Sequence, residues 1–387
     1  MEILRAANAE IAMRRILQAA VSEKASDVHL EPCREFVLVR FRIDGTLTER
    51  YRLPLDMGLS VRAKVLGGMD VGENRIPQDG SFSEIREGKN TDFRLSVMPS
   101  VYGETIVIRI LSGQMDFIEK NELGMLPLQK KIFRTKIGKK SGMILTTGPT
   151  GSGKTSTLYA ALKLVCRPEI SVISVEDPVE YRIPGITQVE VNEKAGLTFE
   201  RGLRSLVRQD PDVVMIGEIR DRETAEIAVH AALTGHLVLS TLHTNDAVSA
   251  SVRLTDMGIP PYLLSASLSL IISQRLVKKL CPACRKEMVI TREMAEEKLF
   301  PEAFIGRRAY MAKGCDHCRG KGADGRTGVF EMLEIGKEER RLLHENAAAE
   351  EFSECMRKQG QYSLKESLLR LMESGAVPPE EAALLWE

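Results

Sequence analysis

At 387 residues with 43% hydrophobic side chains, the chain is longer than one hydrophobic core ordinarily serves, so two or three domains are expected. Lysine plus arginine and aspartate plus glutamate each total 54, a formal net charge of zero, which argues against a protein whose main task is to coat nucleic acid or an anionic membrane. No apolar run approaches about 18 residues and no apolar block follows a basic N-terminus, so a cytosolic chain without a membrane span or secretory signal is expected.

Residues from about 5 to 24 set Ile11, Ile16, Leu17 and Val21 among charges, the pattern of a helix. From Asp27 to Arg52 the pattern becomes alternation. Val28-His29-Leu30, then Phe36 to Ile43, the Asp44-Gly45 turn and a further apolar strand read as a hairpin. Asp92 to Met98 and Glu104 to Leu111 continue it, and a helical segment falls near residues 56 to 69. Together they predict a small α+β domain over residues 1–111. Residues 112–130, with Gly113, Gly124 and Pro127 among polar side chains, read as a linker. Residues 131–280 then alternate buried-type strands with helical segments: Met143 to Thr146, Ser171 to Val175, Val213 to Ile216 and Leu237 to Ser240. That rhythm predicts an α/β core with a largely parallel sheet. Residues 281–320 hold two cysteine pairs, and helices are expected over 321–387.

The run Gly148, Pro149, Thr150, Gly151, Ser152, Gly153, Lys154, Thr155 follows an apolar strand and precedes a helix-forming stretch, the context of a phosphate-binding P-loop. Glycines let backbone N–H groups converge on phosphate oxygens, and the helix N-terminus adds partial positive charge. Lys154 is expected to reach the β/γ-phosphates of ATP and Thr155 to ligate Mg²⁺. A neighbouring strand delivers Glu218 to the carboxyl edge of the sheet, where it can organise Mg²⁺ and water. Another ends in Glu176, Asp177 and Glu180. Glu180 is placed to polarise the attacking water, while Glu176 and Asp177 divide evenly between a role at the site and plain service as a solvated turn or helix N-terminal charge.

His236 and His243 bracket a short strand; His243, at the carboxyl edge, is a γ-phosphate sensor or a satisfied structural histidine. Arg204 and Arg208 lie four apart on an expected helix, suited to clamping phosphate, to meeting a neighbouring subunit's acids or to plain solvation. Arg40 and Arg42 share a strand face, and a basic pair in a separate domain resembles an arginine finger delivered across an interface. Cys281, Cys284, Cys315 and Cys318 form two C-x-x-C knuckles thirty residues apart. Four thiolates complete a closed tetrahedral shell, which is structural zinc chemistry; free thiols or a redox pair are the alternatives, and His317 is a substitute ligand. Cys33, Cys166 and Cys355 are expected as buried thiols.

The whole set resembles the secretion ATPases of type II secretion systems and type IV pilus assembly. The resemblance rests on Ser26-Asp27-Val28-His29-Leu30-Glu31-Pro32, Arg40 to Gly45, the P-loop, Glu176 to Glu180, Leu203 to Asp212, Gly217-Glu218-Ile219-Arg220-Asp221 and His236 to His243. It implies a PAS-like N-terminal domain closing over ATP held by a RecA-like domain, in a homohexamer that moves an inner-membrane platform protein to extend a fibre. By that similarity Arg40, Arg42 and Arg109 reach the phosphates, Glu218 organises Mg²⁺, Glu180 is the base, and Arg204, Arg208, His236 and His243 belong to the nucleotide site. No nucleic acid partner is implied, and association with the membrane is indirect. The four cysteines resemble the assembly branch rather than the retraction branch. Larger members carry an extra N-terminal docking domain, and about twenty-five residues precede Ser26-Asp27 here, so docking by that route is left open and the sequence reads either as a short family member or as a fragment. The competing readings are a RecA-like nucleic-acid motor with a zinc ribbon, a retraction ATPase, and a nucleotide-binding subunit without turnover.

Overall fold

The computed structural model describes residues 8–86, 89–111 and 123–386. The chain forms two compact units, residues 1–117 and 118–387. Of the stretch read as a linker, residues 112–122 lie outside the described residues, and from Pro127 the chain is already helical, in Pro127–Ile137.

The first unit is a six-stranded antiparallel sheet with strand order β3-β2-β1-β6-β5-β4. Its strands are β1 (Asp27–Pro32), β2 (Val37–Ile43), β3 (Thr46–Leu53), β4 (Gln78–Arg86), β5 (Lys89–Ser100) and β6 (Gly103–Ile110). Alternation decides the faces: Val39, Phe41 and Ile43 turn inward, and Arg40 and Arg42 turn to the other side. Asp44 and Gly45 join β2 to β3 with φ of 51° and 85°, the pair of positive angles a tight hairpin needs to match strand twist. The helices Ala9–Ser22 and Leu59–Gly67 cover the apolar face. Met13, Ile16 and Leu17 of the first helix are each at most 1% exposed, and burying each stabilises the unit by about 1.5–3 kcal/mol.

The second unit is built on a seven-stranded sheet, order β15-β12-β7-β11-β10-β8-β9. Its strands are β7 (Gly142–Thr147), β8 (Val172–Glu176), β9 (Thr187–Glu190), β10 (Val213–Ile216), β11 (Leu237–Leu242), β12 (Leu268–Leu280) and β15 (Ala323–Glu334). All neighbours are parallel except β12 and β15. Strands β8, β10 and β11 are buried along their whole length, because helices cover both faces, so they read as unbroken apolar runs rather than alternation.

One expectation is corrected here. Residues 321–387 do not form an all-helical piece. Their first part is β15, which pairs along most of β12 from Leu270↔Glu334 to Leu280↔Ala323. Helices follow it, beginning with Lys337–His344. A short antiparallel ribbon, β13 (Arg285–Val289) with β14 (Arg308–Ala312), stands between the two cysteine pairs.

Candidate functional site

Strand β7 delivers the chain to the P-loop, and the helix Lys154–Val165 begins directly behind it. Gly148, Gly151 and Gly153 have φ of 144°, 79° and 86°. At Gly148 a Cβ would meet Gln274 O at 2.4 Å, so both the backbone angle and the close approach require glycine. Pro149 and Thr150 are exposed at the tip, and Thr155 is half-buried in the first helical turn. Lys154 is buried and donates from Nζ to Gly148 O at 2.8 Å and Pro149 O at 3.2 Å. Burial pulls its ammonium below the ordinary lysine value; the nearby charge of Glu218 opposes that fall and Arg275 adds to it. Ser152 Oγ is buried with no hydrogen-bond partner in the described residues. A lysine resting on carbonyls of its own loop, beside an unmet hydroxyl, is a cradle that an anion completes.

Glu218 follows β10 at the same edge of the sheet. It is ion-paired with Arg220, and His243 Nε2 lies 3.6 Å from its Oε2. Thus Lys154, Glu218 and His243 come together at the carboxyl ends of β7, β10 and β11, which run in parallel register. Thr155 and Glu218 offer the hard oxygen donors that suit Mg²⁺, which would neutralise phosphate charge there. Glu176 is otherwise employed. Its carboxylate is 3% exposed and accepts from Tyr159 Oη, from Ser174 Oγ at 2.6 Å and from Gln188 Nε2 at 3.2 Å. Tyr159 Oη in turn accepts the Glu180 N–H at 3.1 Å, so the buried pair fixes the backbone that carries Glu180. Burial, and then the Glu176 charge, raise the Tyr159 hydroxyl above its ordinary value, keeping it a donor. Asp177 is exposed.

Other predicted residues lie elsewhere. His236 sits at the start of β11, about 23 Å along the strand from His243 at about 3.3 Å per residue. Its Nδ1 is 2.9 Å from Ala231 O, and Thr234 Oγ1 covers His230 O at 2.9 Å; together they cap the helix Arg222–Leu233, so within this chain His236 closes a helix rather than meeting phosphate. Arg204 is ion-paired with Glu200 at 3.1 Å and with Glu223. Arg208 lies beyond the end of the helix Phe199–Leu206 and is exposed, so the two do not form a clamp on one helix face. In the first unit, Arg40 pairs with Glu31 at 2.5 Å, while Arg42 and Arg109 flank Asp27 at 3.7 Å and 3.1 Å. These arginines are held on one polar face by acids of their own sheet.

The four knuckle thiols do converge. Cys281, Cys284, Cys315 and Cys318 have Sγ atoms all within 4.8 Å of one another, with separations of 3.9 Å (Cys281 to Cys315), 3.9 Å (Cys284 to Cys318) and 3.8 Å (Cys315 to Cys318). A tetrahedral ion with bonds of about 2.3 Å requires edges of about 3.8 Å, so the set fits zinc. Burial alone would raise the Cys318 thiol, but N–H donors of Cys315 and Gly322, both at 3.2 Å, together with the neighbouring thiols of Cys315 and Cys284, outweigh it and bring the group down to about 6. His317 is exposed and faces Asp324 at 3.2 Å, outside the thiol cluster. Of the remaining cysteines only Cys355 is buried; Cys33 and Cys166 are half-buried.

The sequence model of the family described as Type II/IV secretion system protein matches residues 4–383. The chain belongs to that family. It is 45% identical over 368 residues to the type II secretion system protein E of Pseudomonas aeruginosa, covering 95% of this chain and 73% of that protein. It is 44% identical over 374 residues to the type IV pilus assembly ATPase PilB of Thermus thermophilus, covering 95% of this chain and 42% of that one. Among solved structures, the pilus retraction motor PilT with bound ADP superposes with a TM-score of 0.66 at 28% identity, covering 95% of both chains. The Legionella pneumophila ATPase DotB shares the fold, with a TM-score of 0.69 at 20% identity over 97% of this chain and 95% of that one. No helix of the described residues is long and apolar enough to cross a membrane.

Within this secretion-family core, β12 supplies contacts that no sequence motif marks. Gln274, 2% exposed, donates from Nε2 to Ser152 O at 2.8 Å and accepts from Thr157 Oγ1 at 2.6 Å. Arg275 Nη2 donates to Asn245 O at 2.8 Å and Ser273 Oγ to the same oxygen at 3.2 Å. One strand therefore holds both the P-loop and the loop that carries His243. Glu331, opposite Ser273 on β15, accepts the first N–H groups of two helices, from Ala247 at 3.1 Å and Leu364 at 3.2 Å. The only signal in the sequence was three polar residues interrupting an apolar strand.

Proposed function

We propose that this chain is an ATP-hydrolysing motor of a type II secretion or type IV pilus assembly system, converting ATP and water to ADP and phosphate. The observation that carries the reading is the meeting of Lys154, Glu218 and His243 at one sheet edge, close enough that the Glu218 charge acts on Lys154. On ATP binding Lys154 leaves the carbonyls of Gly148 and Pro149 for the phosphates, and the loop N–H groups and the helix N-terminus hold the β-phosphate. Thr155 and Glu218 would hold Mg²⁺, which would supply positive charge against the phosphates. Glu180 accepts the proton of the attacking water, and His243 senses the γ-phosphate through Glu218.

We read residues 1–111 as the domain that closes over nucleotide in a homohexamer, the segment that leads to the helix Pro127–Ile137 as the connection, that helix and the seven-stranded sheet with β15 as the RecA-like core, 281–320 as a structural zinc element and the helices from Lys337 onward as its C-terminal support. Arg40, Arg42 and Arg109 then exchange Glu31 and Asp27 for phosphate as subunits close, while Arg204 and Arg208 meet acids of a neighbouring subunit. The cycle of closing and opening displaces an inner-membrane platform protein, to which the motor is peripheral. Fibre extension is favoured over retraction because the assembly and secretion relatives are the more similar ones and because the four thiols converge.

The test is a pair of variants. Lys154→Ala loses ATP binding, whereas Glu218→Gln keeps nucleotide and loses turnover; a Gln variant as active as the parent removes Glu218 from the mechanism.

A further inference from the structure

At the edge of the core sheet opposite the nucleotide, where strands begin rather than end, lies a cavity of about 380 Å³. Lys139, Lys140, Gly142, Ser267, Ser269 and Arg340 line it. It is about 17 Å from the P-loop along β7, at about 3.3 Å per residue, and its volume falls within the range of small-ligand sites, about 300–1,000 Å³.

Two of the cations around it, Lys139 and Lys140, have no ion pair among the described residues that explains them. Two helices end beside the cavity, and lysines near helix C-termini ordinarily cover the last carbonyls. Here two of the last carbonyls of each helix are already met by other groups. Gly138 N donates to Arg134 O at 3.1 Å and Lys139 N to Lys136 O at 3.2 Å, while Thr234 and His236 close the other helix. Lys136 is neutralised by Glu334 at 2.9 Å. Neither Lys139 nor Lys140 has an ion-pair partner among the described residues. The Lys139 ammonium is held below its ordinary value, first by Lys136, then by burial and Arg340, with the Glu334 charge opposing the fall. Arg340 spends its N–H groups on the carbonyls of Ser265, Ala266 and Leu268 and contributes charge rather than donors.

The floor supplies an independent sign. Ser269 is 4% exposed, and its Oγ has no hydrogen-bond partner in the described residues. Native structures rarely leave such an atom unmet. Gly142 stands over it with φ of 119°, and a Cβ there would come within 3.2 Å of Ser269 Cβ; only glycine keeps the approach to that hydroxyl open.

We propose that this cavity binds a small soluble phosphorylated anion, with the ammonium groups of Lys139 and Lys140 and the hydroxyl of Ser269 as its donors and Arg340 supplying field. A single carboxylate would leave most of the local positive charge unanswered, whereas a phosphate group brings nearly two negative charges and several acceptor oxygens. The inference does not depend on the motor reading, because none of these residues belongs to the ATP site.

The test uses the full chain carrying Lys154→Ala, so that the P-loop does not take up the probe, and follows inorganic pyrophosphate by titration calorimetry. Saturable uptake at one site per chain is expected. Lys139→Gln with Lys140→Gln weakens it at least tenfold, Ser269→Ala weakens it severalfold, and both variants melt within a few degrees of the parent. A parallel arm offers phosphatidylglycerol and phosphatidylcholine vesicles. Absence of saturable pyrophosphate binding overturns the proposal, as does equal binding in both variants. Capture by phosphatidylglycerol vesicles without pyrophosphate binding also overturns it, because the basic rim would then serve a lipid surface.

Discussion

Gln274→Met removes the amide that joins the P-loop to β12 while keeping a side chain of similar length. The amide makes two buried hydrogen bonds, to Ser152 O at 2.8 Å and from Thr157 Oγ1 at 2.6 Å. Each contributes about 0.5–1.5 kcal/mol net, and a buried group left unmet costs about 1–3 kcal/mol. Only the Ser152 bond acts on the loop; the Thr157 bond lies one turn into the helix. If about 1.4 kcal/mol of the loss falls on the loop's phosphate-binding conformation, ATP affinity weakens about tenfold. The measurement is equilibrium binding of a fluorescent ATP analogue, with steady-state turnover beside it: KM is expected to rise about tenfold and kcat to change less than threefold. Thr157→Val is the comparison, since it breaks one bond, leaves Ser152 held and lowers melting temperature without moving affinity. Affinity within twofold of the parent in Gln274→Met, or equal weakening in Thr157→Val, would refute the reasoning and leave Gln274 as core packing.

Glu331 offers a test of pH dependence. Burial raises its carboxyl above the ordinary glutamate value, so the folded chain holds this proton more tightly than the unfolded one. Its contribution to stability is therefore greatest below the unfolded value of about 4.3 and falls as pH rises through the folded value. Glu331→Gln removes that slope between pH 4 and 7 in urea denaturation and, by turning an NH₂ toward Ala247 N or Leu364 N, costs about 1–3 kcal/mol at pH 4. Elemental analysis should return one zinc per chain, and Cys281→Ser should lower the melting temperature while ATP affinity stays within twofold; reduced, freshly purified protein without metal would count against the thiol site. His236→Ala should destabilise the chain by about 1 kcal/mol through loss of a helix cap, with ATP affinity unchanged.

Local chemistry decided what was legible in the sequence. A strand, a glycine loop, Lys154 and a helix form one continuous segment whose geometry depends on neighbours in the chain, so the P-loop could be placed from residues alone. The same holds for the Asp44-Gly45 hairpin, whose turn angles are set by two residues, and for the cysteine knuckles, whose thiols need only two short loops and a ribbon to meet. Long-range pairing was out of reach. β12 and β15 are strands because each finds the other across some fifty residues, and β15 was read as the start of a helical region because nothing local distinguishes a strand that a partner will pair. The family resemblance put His236 with His243 at the nucleotide site, but the strand they bracket holds them at opposite edges of the parallel sheet. It could not show that Gln274 and Glu331, far from the motifs, hold those motifs in place, since a buried polar side chain has meaning only through partners that the tertiary structure brings to it.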